Sequence, residues 1–116
     1  RYLEKIQNPL IELPGIPPGS TTVWHQFVIR SEYRDQLQEH LLKYDIQTLI
    51  HYPIPPHLSE AYSCLNIAPG SLPVTERYAR EVLSLPLYNG MTREEVDYVI
   101  QAVNCFGGET DEAEKP

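Results

Sequence analysis

The sequence predicts an α+β domain, a three- to four-stranded, mainly antiparallel sheet covered by helices. Residues 22–30 (TVWHQFVIR) are β-branched and aromatic with a nearly unbroken apolar middle, as strands are. After Thr92, the residues Val96, Val99, Ile100, Val103 and Phe106 recur at helical spacing. Between these two landmarks short apolar segments alternate with amphipathic ones, which interleaves strands and helices on one core.

In chain order, residues 1–6 read as the end of a helix, with Tyr2, Leu3 and Ile6 apolar and no N-cap ahead of them. A helix that starts in mid-turn implies further chain upstream of Arg1. Residues 9–19 are rich in proline and glycine, with a short edge strand expected at 10–13 before the PGIPPG turn. Residues 1–19 are thus a lead-in to a domain at 20–106. In the strand at 22–30, Val23, His25, Phe27 and Ile29 share one face, and Trp24, Gln26, Val28 and Arg30 the other. His25 reads there as a packed structural histidine. Ser31 is placed to cap a helix with Glu32 and Asp35 in its first turn. Leu37, Leu41 and Tyr44 form its buried stripe, Leu42 lies beside it, and His40 falls on its solvent side. Residues 47–51 make a second short strand.

Residues 50–62 (IHYPIPPHLSEAY) are the stretch the chain is arranged to present. Pro53, Pro55 and Pro56 fix φ and remove three donors, and each restricts the residue before it. The outcome is a stiff, extended loop carrying His51, Tyr52, His57 and Tyr62, polar groups offered at low entropic cost. Residues 57–64 hold one or two helical turns with Leu58, Ala61 and Tyr62 inward. Pro73 suits the first turn of a third helix. Its apolar side is Val74, Tyr78, Val82 and Leu85, and its solvent side Glu76, Arg77, Arg80 and Glu81. Residues 85–88 form an edge strand, since Pro86 cannot donate to a ladder. Asn89-Gly90 turns the chain. Thr92 and Glu95 make a capping box, and Gly107-Gly108 ends the last helix. Residues 107–116 read as a disordered acidic tail.

The chain has 116 residues, is 41% hydrophobic and carries a net charge of −7, of which the tail supplies four acids and one lysine. That is one ordinary globular domain. An acidic chain without a basic stripe argues against nucleic acid. No apolar run is long enough to span a membrane, and the opening RYLEKIQ is not a secretory signal. Cys64 and Cys105 form no CxxC pair and are expected to be free thiols in the cytoplasm, with Cys64 buried and inert. The four histidines show no zinc spacing, so no metal is expected. No phosphate loop or nucleophile triad is present, and no catalytic residue is assigned.

The runs WHQFVIR, RDQLQEHLLKYDIQTLIHYPIPPHLSEAY and PVTERYAREVLSLPLYNGMTREEVDYVIQAV closely resemble the C-terminal domain of DegT/StrS-type sugar aminotransferases, over residues 1–106. The resemblance implies the small domain of a fold-type I enzyme that uses pyridoxal phosphate. Such enzymes pass an amino group, usually from glutamate, to the keto carbon of a nucleotide-linked hexose. It further implies that His51 and Tyr52 lie beside the bound sugar nucleotide, with His57 nearby and the prolines stiffening the wall. The family's Schiff-base lysine and phosphate-binding residues belong to an N-terminal large domain, and Lys5, Lys43 and Lys115 do not match that lysine. This chain alone is therefore expected to hold no cofactor and to be inactive, its partners being the missing large domain and, through it, a homodimer. The alternative is a stand-alone, non-catalytic interaction or regulatory module with the same fold.

Overall fold

In the computed structural model, residues 1–107 are described, so the expected tail lies outside the described residues except for Gly107. Strand β1 (Phe27–Arg30) is the apolar end of the predicted strand. It pairs antiparallel with β2 (Val82–Leu85), setting Phe27 opposite Leu85 and Ile29 opposite Leu83. These four side chains share one face and are at most 4% exposed. One bridge extends the sheet on each side, Glu12 to Arg30 beyond β1 and Leu49 to Ser84 beyond β2. Four extended segments therefore lie side by side, but only the central pair forms a ladder. The strands expected at 10–13 and 47–51 shrink to single bridges, because Pro9, Pro14 and Pro53 flank them and cannot donate. Residues 22–26 stay unpaired, with Val23 97% exposed, since β-branched residues make a ladder only where a partner strand is available.

The helices are α1 (Tyr2–Lys5), α2 (Arg34–Lys43), α3 (Pro73–Glu81) and α4 (Arg93–Asn104). Helix α2 starts three residues after Ser31, whose hydroxyl instead accepts from the Tyr33 amide at 3.2 Å and turns the chain. Leu37 and Leu41 are fully buried, Tyr44 is half-buried and Leu42 is exposed. His40, expected outward, is buried: Nε2 lies 2.8 Å from the Ala102 carbonyl, and its ring packs on Tyr44 and Phe106. It stands three residues after Leu37, on the same stripe.

Helix α3 runs directly into β2, so Val82 and Leu85 belong to the strand and not to the helix. Burying Leu83 and Leu85 against β1 outweighs prolonging the helix, and Pro86 closes the strand. The expected faces of α3 hold at Arg77 and Arg80, which are exposed, and are reversed at four other positions. Val74 and Tyr78 are exposed, whereas the side chains of Glu76 and Glu81 are 11% and 13% exposed. Glu81 turns in to meet Arg30 at 2.9 Å. Arg34, itself buried, donates from Nη1 to the carbonyls of Ala79 and Val82 at 3.1 and 3.3 Å, satisfying the end of α3.

Helix α4 carries the expected capping box, with Glu95 N donating to Thr92 Oγ1 at 3.2 Å and Thr92 N to Glu95 Oε2 at 2.7 Å. Val99, Ile100 and Val103 face the core with Phe106. The helix ends before Gly107, because buried Asn8 donates to the Val103 and Phe106 carbonyls at 2.8 and 2.7 Å. Tyr2, Ile6 and Ile11 enter the same core. The Tyr2 hydroxyl donates to the Pro86 carbonyl at 2.9 Å, and burial pushes its pKa up to about 12. Among the described residues no helix is long and apolar enough to cross a membrane.

Candidate functional site

The chain leaves the sheet at the Leu49–Ser84 bridge and turns at His51-Tyr52, whose peptide bond is cis. His51 is held: its Nδ1 lies 3.0 Å from Ser84 Oγ. Tyr52 projects, 76% exposed, with its ring 5.8 Å from that of His51 and nearly perpendicular to it. Pro53 is exposed, Pro55 is buried, and Pro56 opens a 3-10 turn, Pro56–Leu58. A second 3-10 turn, Glu60–Leu65, ends at Asn66 in the left-handed region. The helical turns expected at 57–64 are thus 3-10, and Leu58, Ala61 and Tyr62 point out to solvent, not inward.

A shallow cavity of about 160 Å³ adjoins His51 and Ser84, with His25, Gln26, Gln47 and Thr48 among its walls. Its lining can both donate and accept hydrogen bonds. His25 is exposed here, contrary to the packed position expected for it, because the strand that would have buried it does not form. A larger cavity of about 450 Å³ opens at the other edge of the sheet, around Arg30. The guanidinium there already meets Glu12 and Glu81 and stacks over Tyr78, so its charge is matched.

His57 belongs to a different network. It is 8% exposed, and Nε2 lies 3.0 Å from Glu76 Oε1. Glu76 also accepts from the amides of Gly70 and Leu72. The Gly70 amide, then the His57 ring, hold the Glu76 carboxyl below the usual carboxylate range. Gly70 has φ +88°, where a side chain would be strained, so the loop can bend its amide onto that carboxylate. His57 Nδ1 is buried and has no hydrogen-bond partner among the described residues.

The fold therefore joins His51, Tyr52 and Ser84 at one corner and ties His57 to Glu76. Sequence reasoning overlooked Ser84, although a lone hydroxyl in the apolar run VLSL marks a position with a polar partner. It placed Glu76 in solvent. Cys64 and Cys105 are both free and exposed, which corrects the burial expected for Cys64 in a segment whose 3-10 turns pack loosely. Lys5 sits 3.9 Å from Asp97, and Lys43 lies exposed at the end of α2. Among the described residues no group of three or more His, Cys, Asp or Glu could hold a metal ion.

The architecture defines a class, the small α+β unit of the fold-type I aminotransferases. The chain belongs to the DegT/DnrJ/EryC1/StrS aminotransferase family, whose profile matches residues 1–104. It is 48% identical to dTDP-3-amino-3,6-dideoxy-alpha-D-galactopyranose transaminase of Aneurinibacillus thermoaerophilus, over 91% of this chain and 29% of that protein. It is 45% identical to dTDP-3-amino-3,4,6-trideoxy-alpha-D-glucose transaminase of Streptomyces venezuelae, over 90% of this chain and 28% of that protein. Among solved structures, S. venezuelae DesV in complex with a ketimine intermediate superposes with a TM-score of 0.85 at 45% identity, covering 89% of this chain and 28% of that one. The chain thus spans under a third of the length of the curated relatives it matches.

Proposed function

We propose that this chain is the C-terminal small domain of a pyridoxal phosphate-dependent aminotransferase that aminates a keto-deoxyhexose linked to a nucleotide, and that its His51-Tyr52 corner is the substrate-side wall of the cleft. One observation carries the assignment of the wall: His51 is anchored on Ser84 while Tyr52 stands 76% exposed beside it. A phenol left in solvent on a proline-stiffened corner is preorganised to meet a ligand. The dTDP-sugar transaminases among the relatives support a nucleotide sugar as that ligand. His57, locked to Glu76, braces the loop from behind, and Pro53, Pro55 and Pro56 stiffen it.

The cofactor, when bound, supplies the electron sink for amino transfer. On this account neither described lysine is the one that would hold it: Lys5 lies 3.9 Å from Asp97, and Lys43 is exposed at the end of α2. In this reading a large domain outside this chain holds the cofactor, the whole enzyme acts as a homodimer in the cytoplasm, and the isolated chain is inactive. The test is made in the full-length enzyme. His51→Ala and Tyr52→Phe should each raise KM for the sugar nucleotide by about two- to tenfold, the worth of one hydrogen bond of about 0.5–1.5 kcal/mol. An unchanged KM in both variants would overturn the wall.

A further inference from the structure

We infer that Ser84 is a positioning residue, its hydroxyl donating to Nδ1 of His51 and so holding the imidazole as the Nε2–H tautomer, a donor to an oxygen of the ligand. Ser84 stands in the middle of β2, on the face opposite Leu83 and Leu85, and is 7% exposed. Its amide donates to the Leu49 carbonyl at 2.8 Å, and its carbonyl accepts from the Leu49 amide at 3.2 Å. That bridge returns His51, two residues further on, to the Ser84 side chain, where Nδ1 and Oγ are 3.0 Å apart.

A neutral imidazole has one nitrogen that donates and one that accepts, and the bond made by one sets the role of the other. The Ser84 hydroxyl has a single proton and, among the described residues, no side-chain partner except Nδ1. Were Nδ1 protonated, Ser84 would accept, and its own proton would have no acceptor among the described residues. Donation from Ser84 leaves both atoms matched. It also leaves the ring proton on Nε2, which no hydrogen bond among the described residues engages, in a ring that lines the 160 Å³ cavity. His51 is thereby specific for an acceptor, such as a hydroxyl, carbonyl or phosphate oxygen. This last step rests on the wall assigned above, while the tautomer does not.

Long-range proton–nitrogen NMR of the 116-residue chain, at a pH where imidazole is neutral, reads the tautomer directly. The expected pattern is an unprotonated Nδ1 and a protonated Nε2 for His51, averaged between the two nitrogens in Ser84→Ala and restored in Ser84→Thr. A protonated Nδ1 in the unaltered chain, or a Ser84→Ala spectrum identical to it, overturns the inference. In the full-length enzyme, Ser84→Ala should raise KM for the nucleotide sugar by about two- to tenfold with a smaller change in kcat. If His51→Ala leaves KM unchanged while the expected ring pattern is seen, the wall fails and the tautomer assignment is upheld.

Discussion

Buried polar side chains organise this domain where apolar spacing cannot. Asn8 closes α4, Arg34 closes α3, and Glu76 gathers two loop amides and His57 around one carboxylate. Because folding lowers the Glu76 pKa, its contribution is present above the usual carboxylate range and is lost as pH falls through the lower folded value. Acid should therefore release the loop at 66–72 before it melts the core. Hydrogen exchange at the Gly70 and Leu72 amides, referenced to an unstructured peptide at each pH, should quicken several-fold in acid, and Glu76→Ala should do the same at neutral pH. If protection at those amides is equal in the variant and the unaltered chain, Glu76 does not hold the loop. None of these contacts was legible beforehand. Asn8, Arg34 and Glu76 are polar residues in polar stretches, and only the fold reveals which carbonyl or amide each one meets. The burial of His40 is hidden for a related reason: a polar residue on an apolar stripe reads as solvent-facing, and only the fold supplies its carbonyl partner, Ala102.

Start signals in the sequence locate α3 at Pro73 and α4 at Thr92, whereas Ser31, which also reads as a cap, lies three residues ahead of α2. Helix α4 has its capping box where Thr92 and Glu95 predict it, and Thr92→Ala should cost about 1 kcal/mol in urea denaturation. Leu41→Ala and Ile100→Ala should each cost about 2–5 kcal/mol, because both side chains are buried in the core. Leu42→Ala, one position along but exposed, should stay within about 0.5 kcal/mol. Equal losses at Leu41 and Leu42 would show that the stripe on α2 is misassigned. Strands are less legible in the sequence. Residues 22–26 have the composition of a strand but no neighbour, whereas Val82–Leu85 resembled a helix end and became β2 because β1 offers it a partner. Pairing is a property of two segments, so a single segment carries only half of the signal.

At the scale of the molecule, the residues that carried the family likeness, the IHYPIPPHL run and the LSLPLYNGMT run, meet in space through Ser84 and His51. The resemblance pointed to His51 and Tyr52. It did not reveal that the second run anchors the first, which needs the bridge between Leu49 and Ser84. His57 was grouped with that pair by proximity in the loop, and the 3-10 turn carries it to Glu76 instead. Incubated with pyridoxal phosphate and passed through a desalting column, the isolated chain should retain no visible absorbance of lysine-bound cofactor, and it should transfer no amino group from glutamate. Retained absorbance would mean that Lys5, Lys43 or Lys115 binds the cofactor, against the division of labour proposed here.

The two single bridges that flank the central ladder have an effect on self-association. Glu12 covers Arg30 on one rim, Leu49 covers Ser84 on the other, and Arg34 reaches the Val82 carbonyl. Strands this short, with their rims already occupied, offer little template for a stranger's backbone to add to, so this small sheet should resist growing into fibrils.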